Sequence, residues 1–376
     1  MKYIDEYRDG GLARTLAARI ADEADPATLY RFMEFCGGHT HAISRYGIAD
    51  LLPGNIRMIH GPGCPVCVLP VGRIDAAIRL AQRPEVTLCT YGDLMRVPGS
   101  GGASLLKVKA AGADIRMVYS TLDAIRIAEA EPLREVVFFA IGFETTTPAT
   151  MLAIRFAAER KLANFSIFCN HVLTPPAIRA ILDGGESDHV GIDGLVGPAH
   201  VSTVIGTEPY EAFAKEAQKP VVVAGFEPLD VMHAILMLVR QINDGRHEVE
   251  NQYVRAVTRA GNQKAQAGIA EMFELRESFE WRGLGTVPLS ALRLKQGYAA
   301  FDAERRFDVE DIAGRDNPAC ECGAILRGAK TPTQCKLFGT VCTPDTPMGA
   351  CMVSSEGACA AHWTYGRFRD HAKAAS

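Results

Sequence analysis

The stretch 136–160, VVFFAIGFETTTPATMLAIRFAAER, decides the fold class. Its first six residues, Val136 to Ile141, are an unbroken apolar run rich in β-branched and aromatic side chains, the composition of a strand covered on both faces. Gly142 interrupts the run, and the Thr-Thr-Thr-Pro that follows at 145–148 is a helix start, with Thr146 or Thr147 as its cap. A buried strand, a Gly-bearing loop and a long helix make half of a βαβ unit, and repeated units of this kind build a parallel sheet.

The same grammar recurs on both sides. Seven strands are expected, at 56–60, 86–93, 115–120, 136–144, 165–171, 194–200 and 220–228. Helices are expected at 11–25, 42–49, 72–82, 122–131, 148–160 and 229–244, with 248–270 also helical and 281–297 a connector holding one or two strands. IGFE at 141–144 and AGFE at 224–227 echo each other, as an internal repeat or as two strand ends meeting at one crevice. Seven strands suggest two α/β domains, and the Gly- and Pro-punctuated tail suggests a third, loop- and helix-rich one. The boundaries expected are 1–125, 126–245 and 246–376.

Composition narrows the function. Of 376 residues, 48% are hydrophobic and 22% charged, as in an ordinary globular chain. A net charge of -4 gives no electrostatic reason to expect nucleic acid or an anionic membrane as partner. No run approaches the roughly 20 apolar residues of a membrane span, and the first 25 residues carry acids throughout, unlike a signal peptide. The expected compartment is the cytoplasm. Thiols stay reduced there, so clustered cysteines point to metal or redox chemistry rather than to a disulfide framework.

Eleven cysteines are present. Cys36 opens Cys-Gly-Gly-His-Thr-His, in which the glycines leave the thiol uncovered and His39 and His41 offer acid–base or hydrogen-bonding groups. If the loop starts a helix, the helix N–H groups lower the Cys36 pKa. The bland alternative is a buried cysteine beside a turn. Cys64 and Cys67 form a C-x-x-C after the strand at 56–60, a spacing that lets a dithiol cycle with a disulfide. The same spacing is half of a zinc site, but no second C-x-x-C exists, which favours redox cycling or transient metal capture. Asp93, Glu144, Asn170, His171, His200, Ser202 and Glu227 lie at other strand ends, where ligands gather in open α/β sheets. Cys89 and Cys169 fall inside apolar strands and read as inert core.

Six cysteines crowd into 320–359, at positions 320, 322, 335, 342, 351 and 359. Irregular spacing shaped by Gly and Pro suits a four-thiolate [4Fe–4S] cluster better than zinc, which prefers paired knuckles. The expected ligands are Cys320, Cys335, Cys342 and Cys359, with Cys322 and Cys351 spare beside them, although spacing does not remove either from the ligand set. A zinc protein with purely structural cysteines is the plain alternative.

CGGHTH at 36–41, GPGCPVC at 61–67, GFETTTP at 142–148 and the tail CECG…CKLFGTVCTP…CMVSSEGAC together resemble the HypD family of hydrogenase maturation factors, end to end and without departure from its pattern. The resemblance implies two α/β domains plus a cluster domain. It implies a scaffold that works with HypC to assemble the Fe(CN)2CO unit of [NiFe]-hydrogenase, with cyanide arriving from HypE, itself charged by HypF. Cys36 would bind the iron, Cys64 and Cys67 would be the redox dithiol, and the tail would hold a [4Fe–4S] cluster. The chemistry then reads as a relay from cluster to Cys64/Cys67 to the iron, with His39 or His41 and Glu144 near the reacting groups. A thiol–disulfide oxidoreductase of the ferredoxin:thioredoxin reductase type is the competing reading.

Overall fold

The computed structural model describes residues 4–184, 191–309 and 312–367. Nine strands form two parallel sheets: β1 Tyr30–Glu34, β2 Ile56–His60, β3 Val86–Thr90, β4 Ile115–Met117, β5 Glu135–Gly142, β6 Phe165–His171, β7 Gly194–Pro198, β8 Val221–Ala224 and β9 Val249–Asn251. The first sheet runs β2-β1-β7-β8-β9 and the second β4-β3-β5-β6, with every pairing parallel. The expected α/β class with parallel sheets is therefore present. The chain lays down β1 and β2, leaves to build the whole second sheet, then returns to complete the first. Both sheets draw on strands from either side of residue 125, since β3 pairs with β5 and β1 with β7.

The strand faces explain the layers. Along β5, Val137, Phe139 and Ile141 point into one core and Val136, Phe138 and Ala140 into another, so the run is apolar at every position. The helices Thr121–Ala130 and Thr147–Glu159 cover the second face, and Val71–Ala81 lies on the first. In the first sheet, Tyr30 and Phe32 pack under the helices Gly10–Glu23 and Pro228–Asn243, while Met33 and Phe35 face the helices Thr174–Leu182, Ala199–Ile205 and Glu211–Glu216. The core of the second sheet continues without a break into the tail, joining Phe139, Trp281, Ile325 and the tail cysteines.

Most expected elements stand within a few residues of their places, but β1 and β9 were not anticipated. Arg31 and Glu34 interrupt the apolar pattern of β1, and both are compensated in three dimensions, Arg31 by Asp193 and Glu34 by partners described below. The expected helix at 248–270 is β9, a loop and the helix Gln263–Met272. Helix Gly37–Tyr46 begins earlier than expected because extended Cys36 is its N-cap and both glycines enter the first turn. The tail holds two small antiparallel pairs, Phe273–Leu275 with Leu292–Leu294 and Ser278–Trp281 with Gly285–Pro288, then short helices in loops. Among the described residues no helix is long and apolar enough to cross a membrane.

Phe139 is fully buried where the second sheet meets the tail. Phe139→Ala is expected to cost about 3–5 kcal/mol in a urea unfolding titration.

Candidate functional site

Adjacent strands create the site. Glu34 and His60 are register partners at the carboxyl ends of β1 and β2, so the two loops that follow, 35–38 and 61–64, lie side by side. Gly61 N–H donates to Glu34 O at 2.9 Å and Gly37 N–H to Gly63 O at 3.1 Å. A Cβ on Gly63 would fall 2.3 Å from Cys36 N, so only glycine lets the loops approach this closely. The Glu34 carboxylate, fully buried, accepts from Cys36 N–H at 2.9 Å and from the Thr40 hydroxyl, and faces His60 Nδ1 at 2.9 Å. Cys36 thus sits at a helix N-terminus as expected.

The electrostatic expectation for Cys36 is overturned. The N–H groups of Gly38 and His39 do favour its thiolate. Burial outweighs them, and the charges of Glu356 and Glu34 add to it, so the Cys36 pKa is raised well above that of a free thiol. Glu356 comes from the tail and packs against Gly37, where any Cβ would collide with it. Its charge also opposes ionisation of Cys64, whose pKa burial already raises.

Cys64 caps the short helix Pro65–Val68, and its sulfur accepts from Cys67 N–H at 3.3 Å. Both thiols are enclosed, at 3% and 0% exposure. Cys64 and Cys67, and Cys67 and Cys351, lie near enough for each to influence the other's ionisation. Cys351 Sγ lies 2.7 Å from Cys322 Sγ, and Cys322 contacts Cys320. A series of neighbouring sulfurs therefore runs from the Cys64 loop to the tail.

The series ends at a small cavity of about 10 Å³, lined by Cys320, Cys322, Cys335, Cys342, Cys351 and Cys359 together with apolar side chains. The thiols ring this space rather than converge on a point: among the described residues, no three His, Cys, Asp or Glu close around a single ion. A Cβ on Gly349 would sit 2.4 Å from Cys320 Sγ, so glycine there leaves the sulfur its room.

Other expected site residues are spread more widely. His39 is fully buried, its Nε2 lies 3.0 Å from the carbonyls of Ala224 and Gly225, and its Nδ1 has no partner. Burial lowers its pKa, so it is a neutral imidazole donating to backbone, and its ring stacks on Phe226, which also meets His200. His41 instead meets Tyr365 of the tail edge-on. Glu144 accepts from Thr174 N–H at 2.8 Å and from the Thr174 hydroxyl at 2.9 Å, so its carboxylate anchors a helix start. Asn170 holds Arg73, and buried His171 meets Thr150. Thr146 is an N-cap by position, but its hydroxyl bonds backward to Ile141 O and Phe143 O. Ser202 bonds Pro198 O, Glu227 pairs with Arg8, and Asp93 is exposed in the first turn of the short helix Gly92–Arg96. Cys89 and Cys169 are buried in strands, with pKa values pushed up by burial to about 12 and about 11. The sequence reading missed Glu34, His60 and Glu356. A signal for the first two existed, since both end short strands directly before a Gly-rich cysteine loop.

The model of the family described as "HypD: Hydrogenase formation hypA family" matches residues 11–366. The chain is 76% identical to the hydrogenase maturation factor HypD of Rhizobium leguminosarum bv. viciae over 373 residues, covering 98% of this chain and 97% of that one. It is 67% identical to HypD of Cupriavidus necator over 98% of both chains. Against HypD of Escherichia coli K12 it is 47% identical, over 97% of this chain and 98% of the relative.

Burial raises the Glu144 pKa from 4.5 to about 7. The folded chain therefore holds this proton more tightly than the unfolded one. The stability it contributes is full below about pH 4.5 and is lost as pH rises through 7. Urea titrations between pH 5 and 8 are expected to show the wild type losing up to about 3 kcal/mol relative to Glu144→Gln.

Proposed function

The chain belongs to the HypD family of hydrogenase maturation factors, and on that premise we propose that it is a redox-active scaffold on which the Fe(CN)2CO unit of a [NiFe]-hydrogenase is assembled. Cys36 binds the iron, which is cargo rather than a resident cofactor. HypC docks at that site, and HypE, charged through HypF, brings cyanide. The work is cytoplasmic, where the thiols are kept reduced. Soft thiolate ligation suits low-spin iron carrying cyanide and CO.

In the tail, Cys320, Cys335, Cys342 and Cys359 hold a [4Fe–4S] cluster. The donor set supports this, since six thiols ring one cavity and two of them, Cys322 and Cys351, are engaged with each other. The cluster, when bound, supplies single electrons. The observation that carries the functional reading is the sulfur line Cys64–Cys67–Cys351–Cys322–Cys320. Thiol–disulfide exchange can pass along it without a diffusible carrier. Cys351 attacks Cys67 of an oxidised Cys64–Cys67 pair, and Cys64 leaves as thiolate. Cys322 then closes on Cys351 and frees Cys67. Two electrons have moved from the Cys322/Cys351 pair to the dithiol beside Cys36.

Burial favours this inward route over the thioredoxin-reductase alternative. A protein substrate arriving from solvent would need an open thiol, and Cys64 and Cys67 are 3% and 0% exposed. His39 is committed to backbone carbonyls, so it positions the helix beneath Cys36 instead of acting on bound ligands.

Cys36→Ala is expected to abolish the iron–cyanide infrared bands of the complex co-purified anaerobically with HypC, and persistence of the bands would sink the assignment. Cys351→Ser is expected to keep the visible cluster absorption but to block dithionite-driven reduction of the Cys64–Cys67 disulfide, followed by alkylation and peptide mass mapping. Reduction at the wild-type rate would break the relay.

A further inference from the structure

The cysteine cavity of the tail is walled mostly by buried residues. Cys320, Leu337 and Phe338 are the lining residues that also reach solvent. Leu337 and Phe338 lie between Cys335 and Cys342, two of the thiols assigned to the cluster. This loop folds back sharply. Gly339, at φ +74°, donates its N–H to Cys342 O at 3.2 Å, and Phe338 bridges to Cys342. The outer side of the loop presents Lys336, Gly339, Thr340 and Val341 to solvent, with Val341 52% exposed. A single layer of side chains therefore separates the cavity from water here.

Aromatic rings continue outward from this wall. The ring of half-buried Trp363 stands 6.0 Å from that of Phe338, and the Arg367 guanidinium lies over Trp363 at 4.2 Å. Three cations, Lys330, Lys336 and Arg367, frame the loop and the Trp363 ring. Two acids answer them: Glu321, which pairs with Lys330 and feels the charge of Lys336, and exposed Asp345. Three against two leaves this face positive by one, on a chain whose net charge is -4. Apolar surface framed by cations fits a partner with negative charges around its own contact patch.

We propose that this face, centred on Lys336, Val341 and Trp363, docks an acidic one-electron carrier protein that reduces the tail cluster. The inference rests on the cluster reading above. The sulfurs of Cys64, Cys67, Cys322 and Cys351 are buried, so a thiol reductant in solution does not reach them. An electron needs no such opening, because it crosses a wall of side chains without moving it. In each encounter one electron leaves the reduced carrier for the oxidised cluster, and no bond forms or breaks. The cations draw the carrier in, and added salt screens them and slows its arrival. Val341 supplies an apolar contact at the tip of the loop.

The test uses the full-length, cluster-loaded protein, prepared anaerobically and oxidised, and follows bleaching of its visible absorption by stopped flow. One arm supplies an acidic flavodoxin in its hydroquinone state, whose blue semiquinone appears as each electron leaves it. The other arm supplies dithionite, which needs no docking face. The wild type is expected to bleach in both arms, and more slowly with flavodoxin as salt is added. Lys336→Glu and Val341→Asp are each expected to slow the flavodoxin arm at least about threefold at low salt. The dithionite arm should not change, which shows that cluster and fold are intact, and Lys336→Arg should stay near wild type. Equal flavodoxin rates in the wild type and both variants overturn the proposal. So does a wild type that dithionite reduces and flavodoxin does not, and so does a slowing that the dithionite arm shares in both variants. A wild type without cluster absorption sinks the cluster reading itself, which separates the two failures.

Discussion

A buried carboxylate holds the site together. Glu34, at the end of β1, accepts from Cys36 N–H and the Thr40 hydroxyl and faces His60 across the strand pair. A carboxyl group is tolerated in that buried position because its oxygens are occupied. The same contacts fix the start of helix Gly37–Tyr46, the register of β1 on β2, and hence the meeting of the Cys36 and Cys64 loops. Gly63 completes the arrangement by giving up its side chain where Cys36 backbone passes.

Desolvation is the second governing term. Helix N–H groups act on Cys36 in the direction expected of a helix start, yet burial and the charges of Glu356 and Glu34 outweigh them. The thiol therefore holds its proton more tightly than a free cysteine, and any metal bound by its thiolate would displace that proton. Glu356 belongs to the tail, some three hundred residues along the chain, so a tail carboxylate acts on the ionisation of the Cys36 thiol. The enclosed sulfurs of Cys64, Cys67, Cys322 and Cys351 share one buried core that is closed to outside thiols.

Much of this was legible beforehand. The apolar runs gave β2 through β8 to within a few residues, since a strand covered on both faces admits only apolar side chains. β1 and β9 escaped because charged residues break their pattern, and only distant partners such as Asp193 compensate them. Cys36, Cys64 and Cys67 stood out by their glycines and spacing, and the structure brings their loops together. Glu144 stood out equally, but its carboxylate anchors a helix start at Thr174. A polar residue at a strand end looks the same in sequence whether it faces a ligand or a backbone amide.

The sequence alone determined the local elements and the reactive loops, because alternation, capping and glycine placement are written over spans of ten or twenty residues. The tertiary structure decided the rest. The interleaving of two sheets depends on β1 finding β7, more than 160 residues later. The pairing of Cys322 with Cys351, and their burial in the same core as Cys67, depend on three short helical segments packing together. Coulomb and desolvation energies follow distance through space, which spacing along the chain does not record.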